Sequence, residues 1–145
     1  MLKLSPIRGK KNFDKIFAEA KKFKSDSLNA FIRFRSVFPN NDDVQINIYF
    51  AVSVSKKISK KAVVRNRIKR LLRESIRYAI IQPYFCENIV FIENIVLIWR
   101  KPIQSPTLIK LNDVIPELFD ILKSAINYYE EKLNEFNKKN TDNNN

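Results

Sequence analysis

From Lys56 to Arg77 the chain reads K-K-I-S-K-K-A-V-V-R-N-R-I-K-R-L-L-R-E-S-I-R, and this stretch restricts the possible folds more than any other. Steps of 100° on a helical wheel gather Val64, Ile68, Leu71, Leu72, Ile76 and Ala79 on one side. Arg65, Asn66, Lys69, Arg70, Arg73 and Arg77 take the opposite side, with Arg67 and Glu74 at its far edge. Such a helix has to bury one face against an apolar layer and leave the other to water or to a polyanion. Lys56, Lys57, Lys60 and Lys61 carry the same charge to the helix entrance.

The apolar layer has to come from strands. Between Val44 and Ser55, Val44, Ile46, Ile48, Phe50, Val52 and Val54 alternate with Gln45, Asn47, Tyr49, Ala51, Ser53 and Ser55. Period-two alternation predicts a strand with the first set in the core and the second facing solvent or a ligand. Leu28 to Phe38 alternates as well: Ala30, Ile32 and Phe34 share one side, and Phe31, Arg33 and Arg35 share the other. The run Ile95-Val96-Leu97-Ile98-Trp99 predicts a central strand covered on both faces. Pro39 to Asp43 reads as a turn, and Pro83 stops the basic helix near Gln82.

Two further helices flank these elements. Ser5-Pro6 reads as a helix start, with Phe13, Ile16, Phe17 and Ala20 forming one apolar face. Ile115, Leu118, Phe119, Leu122, Ile126, Tyr129, Leu133 and Phe136 keep helical spacing in a last helix that begins near Asn112-Asp113. The expectation is one α+β two-layer domain over residues 1–136, in the order α-β-β-α-β-α. The Asn-rich segment 137–145 is expected to be disordered.

Composition narrows the chemistry. Lys and Arg number 27 against 15 Asp and Glu in 145 residues, a formal charge of +12. That excess favours a polyanionic partner, nucleic acid before an anionic membrane surface. There is no His and one Cys, Cys86. This excludes the usual His/Cys zinc sites, disulfides within the chain, and Ser-His or Cys-His nucleophile pairs. The sequence opens without an apolar segment of secretory length, so a cytoplasmic, soluble chain is expected.

Within the basic face, Arg forks onto phosphate oxygens while Lys acts as a point charge, and Asn66 can bond a phosphate, a sugar hydroxyl or a base edge. Charge alone does not choose RNA over DNA. Phe13 and Phe17 suit the core, or the rim of a groove where a base can stack. Phe31 with Arg33 and Arg35 on one sheet face can form a stacking and phosphate-binding surface.

The string A-V-V-R-N-R-I-K-R-L-L-R-E at residues 62–74, led by S-V-S-K-K at 53–57, resembles the signature of the bacterial ribonuclease P protein subunit. The first helix with Phe13 and Phe17 shares the resemblance, as does I-W-R-K-P at 98–102. It implies a sandwich like the second domain of a small-subunit ribosomal protein, with a left-handed βαβ crossover around the basic helix, against the usual rule. It further implies a catalytic RNA partner that, with magnesium, hydrolyses the 5′ leader from precursor tRNA. On this resemblance Lys56, Lys57, Lys60, Lys61, Arg65, Asn66, Arg67, Lys69, Arg70 and Arg73 would face that RNA. A cleft between the first helix, the sheet and the basic helix would hold the leader, with Phe13, Phe17, Phe31 and Arg33 in it. No catalytic residue, metal or cofactor would belong to the protein itself; magnesium would come through the RNA. Ser59, where the family usually has Gly, and the long apolar connection 78–94 depart from the pattern.

The reading is thus a subunit of a tRNA-processing endoribonuclease, with catalytic RNA and precursor tRNA as partners and neither membrane nor DNA expected. The alternative is a ribosomal or other structured-RNA-binding protein without leader recognition.

Overall fold

The computed structural model describes residues 2–36 and 45–143. Its centre is a five-stranded mixed sheet in the order β1-β4-β5-β3-β2. β4 (Ile46–Val54) and β5 (Ile92–Trp99) run parallel, and β3 (Leu28–Phe34) pairs antiparallel with β5. Parallel neighbours need a crossover, and the basic helix α2 (Ala62–Ile80) with the short α3 (Pro83–Asn88) supplies it. The last helix, α4 (Leu111–Asn143), packs beside α2, which confirms a mixed α+β fold.

One face of the sheet makes the main core. Ile48, Phe50 and Val54 from β4, with Ala30, Ile32, Ile95, Leu97 and Trp99, meet Ile68, Leu72 and Ile76 of α2. The three α2 side chains are fully or almost fully buried, each stabilising the fold by roughly 1.5–3 kcal/mol relative to exposure. α2 is therefore committed to this face by the stripe read from its sequence. The other set of β4, Tyr49 and Ser53, is exposed on the opposite side.

The element order is richer than expected. Ser5-Pro6 does not cap a helix; it ends an edge strand, β1 (Leu2–Pro6), paired parallel with β4. Pro6 costs nothing there because an edge strand has a free side, and the ladder resumes with the Ile7 amide donating to the Phe50 carbonyl at 2.9 Å. The first helix, α1 (Lys10–Glu19), starts only after Gly9, whose φ of 89° favours glycine. A second edge strand, β2 (Lys21–Lys24), pairs antiparallel with β3. Its lysines discourage further strand pairing, a common use of Lys at sheet edges.

β5 begins before the expected Ile95, taking in Glu93 and Asn94. α4 carries Pro116 as its sixth residue, past the four amides that have no partner within a helix, so the bond to the Asn112 carbonyl is missing there. It also continues to Asn143, through most of the segment expected to be disordered. Asn and Lys each cost only a few tenths of a kcal/mol in a helix, and turns already docked on the sheet remove the nucleation cost. The expected turn at Pro39–Asp43 lies outside the described residues. No helix among those described is long and apolar enough to cross a membrane.

Candidate nucleic-acid interface

The two regions singled out by sequence stand on opposite faces of the sheet. On the core side, α2 presents its cations outward: Asn66, Arg67, Arg70, Arg73 and Arg77 are exposed, with Arg65 and Lys69 half-buried. Lys56, Lys57, Lys60 and Lys61 are exposed in the loop before it. That loop is a tight turn, with the Ile58 amide donating to the Ser55 carbonyl at 3.0 Å and the Lys57 amide to Ser55 Oγ at 3.0 Å. Among the described residues only Gly9 has positive φ, so Ser59 sits without strain where the resemblance leads one to expect glycine.

The cations divide by what holds them. Arg65 donates to the Ser59 carbonyl at 2.9 Å and so fastens the entrance turn to the helix. Arg67 forks onto the Pro106 and Ile109 carbonyls at 3.0 and 2.9 Å, tying α2 to the 3-10 turn Pro106–Leu108 that follows β5. Arg70 pairs with Glu74 at 3.2 Å, an exposed i,i+4 contact of small net value. Arg73 and Arg77 have no carboxylate within 4.0 Å among the described residues. Lys69 and the four entrance lysines likewise have none, so these cations have less to give up on meeting a phosphate than Arg65, Arg67 and Arg70.

On the opposite side, α1 leans over the sheet through Ile16, its one buried residue, 2% exposed. Phe13 and Phe17, one turn apart, instead form a surface ladder with Phe31: centroids 6.4 Å apart for the first pair and 5.0 Å for Phe17 and Phe31. Phe17 is 42% exposed, and Lys22 Nζ lies 5.9 Å from the Phe31 centroid. The open rim is thus aromatic with a cation at its edge. Beside it a cavity of about 460 Å³ is lined by Arg8, Asn12, Lys15, Arg33, Tyr49 and Asn94, among others. The phenylalanines flank this cavity and do not line it.

Arg33 does line it, but its charge is already met. Its Nε lies 2.6 Å from Glu19, and Nη1 lies 3.6 Å from Glu93 and 3.5 Å from Asn94 Oδ1. Arg35, expected in the same row, is displaced by a register shift between Arg33 and Phe34. Its guanidinium bonds the Val90 and Asn47 carbonyls, and burial pulls its pKa below the usual value. Arg35 therefore braces the sheet. Arg8 and Lys15 are the cavity's other cations, and Tyr49 is its exposed ring. Sequence reading did not assign them to a site, because β1 and its turn into α1 were not visible as such; Tyr49 carried only the general signal of a polar strand face.

The cleft expected between α1, the sheet and the basic helix needs correction. Among the described residues none from α2 lines the cavity, because the apolar stripe of α2 fixes it to the other face of the sheet. Nor is there a group of three or more His, Cys, Asp or Glu among those residues placed to hold a metal ion.

Residues 1–123 match the family model described as Ribonuclease P. The ribonuclease P protein component of Prochlorococcus marinus is 35% identical over 82 residues, covering 52% of this chain and 63% of that protein. The corresponding protein of Bacillus pumilus is 38% identical over 74 residues, 51% of this chain and 56% of the relative. The matches thus span less than two thirds of these relatives' lengths. Among solved structures, the RNase P protein from Thermotoga maritima superposes with a TM-score of 0.62 at 23% identity, covering 83% of this chain and 96% of that one. The Staphylococcus aureus RNase P protein gives a TM-score of 0.57 at 22% identity, over 83% and 94%. These structures establish likeness of fold.

Proposed function

This chain belongs to the ribonuclease P protein family, and from that premise we propose that it is the protein subunit of a ribonucleoprotein that removes the 5′ leader from precursor tRNA. The observation that carries the reading is the face of α2: cations at the family's signature positions, held out to solvent by a helix whose other side is buried. Each phosphate neutralised there releases condensed counterions, so binding draws on entropy and weakens with salt. Arg73, Arg70, Lys69 and Asn66, with Lys56, Lys57, Lys60 and Lys61 at the entrance, are the residues proposed to meet the catalytic RNA. Arg65 and Arg67 belong to that set while also bracing the loops that shape it.

The leader is proposed to lie along the α1 side of the sheet. Phe13, Phe17 and Phe31 offer ring faces to unstacked bases, and base–aromatic stacking tolerates any leader sequence. Arg8 and Lys15 offer charge to its backbone; Arg33 contributes geometry through its pairs with Glu19 and Glu93. Hydrolysis is assigned to the RNA with its magnesium, and this chain binds and positions. The reading carries with it the ribosomal-protein-like arrangement, a left-handed β4-α2-β5 crossover and a cytoplasmic setting.

The neutralised Arg33 favours one rival, an RNA-binding protein without leader recognition. A single experiment separates the two: cleavage of precursor tRNA at low magnesium by protein alone, RNA alone, and both. The proposal expects cleavage only, or far faster, with both. RNA binding without any gain in cleavage would favour the rival.

A further inference from the structure

The connection that departs from the family pattern carries a feature of its own. Four rings run in series across the surface where α2, α3 and α4 meet. Tyr78 stacks on Phe119 with centroids 6.1 Å apart and planes 11° apart, Phe119 meets Phe85 at 4.8 Å, and Phe85 meets Tyr84 edge-on at 5.2 Å. The middle of the series is anchored: Phe85 is buried and Phe119 is half-buried against the core. Its two ends are open, with Tyr78 43% and Tyr84 51% exposed, and Ile81 between them in sequence is 70% exposed. Isolated exposed apolar residues need no explanation, but rings fixed on a core and left open at both ends are a mounted surface.

What could cover it is indicated by its neighbours. Arg77 immediately precedes Tyr78, Arg73 lies one turn earlier, and both lack a carboxylate partner among the described residues. The nearby Glu74 is held by Arg70. The basic face of α2 therefore adjoins the ring series through Arg77, with Glu74 between them paired to Arg70. Rigid aromatic faces beside free guanidinium groups suit an unpaired nucleotide, whose base stacks while its phosphate is met by Arg.

We propose that Tyr78, Ile81 and Tyr84 form a second stacking surface, continuous with the cationic face of α2, that takes an unpaired nucleotide of the RNA docked on that helix. The proposal rests on the RNA-binding reading above and extends the contact to the far end of α2.

The two contact types differ in salt dependence, which supplies the test. Affinity of the full chain for its catalytic RNA is titrated at several salt concentrations for the unaltered protein and for Tyr84→Ala, Tyr84→Phe and Arg73→Ala. Tyr84→Ala is expected to bind about tenfold more weakly with an unchanged salt slope, Tyr84→Phe to bind normally, and Arg73→Ala to lose about one unit of slope. Ile81→Glu, at a largely exposed position, serves as a second probe should Tyr84→Ala prove unstable in a thermal melt. It should weaken binding by placing a carboxylate beside the RNA. Normal binding by the stable Tyr84 variant, or by Ile81→Glu, overturns the stacking surface, while an effect of Arg73→Ala alone leaves the RNA-binding reading standing. No salt-dependent binding by the unaltered chain overturns both. Self-association of the free protein that Tyr84→Ala abolishes, with RNA affinity unchanged, assigns the rings to a second copy and also overturns the proposal.

Discussion

The two faces of the sheet solve different problems with the same kinds of residue. On the α2 face, cations stand outward with few partners, so the proposed recognition there reads charge and the spacing of phosphates. On the α1 face, a cavity and a phenylalanine ladder stand open while its central arginine is tied up by Glu19 and Glu93. That side offers a shaped cavity and open ring faces, with Arg8, Lys15 and Lys22 adding charge around it. The difference teaches that a cation's position in sequence says little about its availability. Arg33 and Arg73 look alike in the sequence, yet one is paired twice and the other has no carboxylate partner among the described residues.

Reversing charge on the α2 face gives the largest expected effect. Arg73→Glu with Arg77→Glu should reduce affinity for the catalytic RNA by at least 100-fold, since each lost arginine contact is worth roughly 1–3 kcal/mol and the reversed charges repel. Because neither side chain holds another part of the fold, the melting temperature should stay within a degree or two of the parent. The ratio of precursor to mature tRNA affinity, measured with saturating protein, should also hold. A collapse of that ratio would show that the two faces are not separable.

Next in size is Phe17→Ala, which tests the other face. It removes a ring that contributes to stacking but little to the core, so precursor tRNA affinity should fall about tenfold with mature tRNA affinity unchanged. The salt slope should not move, in contrast with the α2 variants. Equal losses for both tRNAs would remove the leader from this face.

How much of this contrast could be read from the sequence depends on whether each signal was local. The apolar stripe of α2 and the alternation of β3 and β4 are properties of neighbouring residues, and the structure places Ile68, Leu72, Ile76, Ile48 and Phe50 in one core as that patterning requires. β1 and β2 were hidden because edge strands need little hydrophobic content: Ser5-Pro6 imitates a helix start, and Lys21, Lys22 and Lys24 imitate a solvated loop. The pairs of Arg33 depend on Glu19 and Glu93, which only the fold brings together. The register shift after Arg33, which redirects Arg35, left no sequence mark.

A smaller effect separates arginines within α2 itself. Arg67→Lys keeps the charge but loses the fork that holds the Pro106 and Ile109 carbonyls. Thermal unfolding without RNA should show a loss of about 1 kcal/mol, the scale of a net hydrogen bond. Arg73→Lys should show none. Identical melting curves for the two variants would mean that the Arg67 bonds contribute nothing to folding, and its role would then rest on RNA alone.

The smallest expected change is at Ser59, where the turn enters the basic helix. Glycine would be needed there if the backbone had positive φ, and it does not. Ser59 also accepts the Lys61 amide on Oγ at 3.3 Å and the Arg65 guanidinium on its carbonyl at 2.9 Å. Ser59→Gly therefore relieves nothing; it adds freedom to the unfolded chain and removes a weak side-chain bond. Stability should drop by about 0.5–1 kcal/mol with RNA affinity unchanged. A gain in RNA affinity would instead mean that the turn must rearrange when α2 docks. The α2 face would then share the adaptability that open aromatic rings give the opposite face, and the contrast between a fixed charged surface and a stacking cleft would narrow.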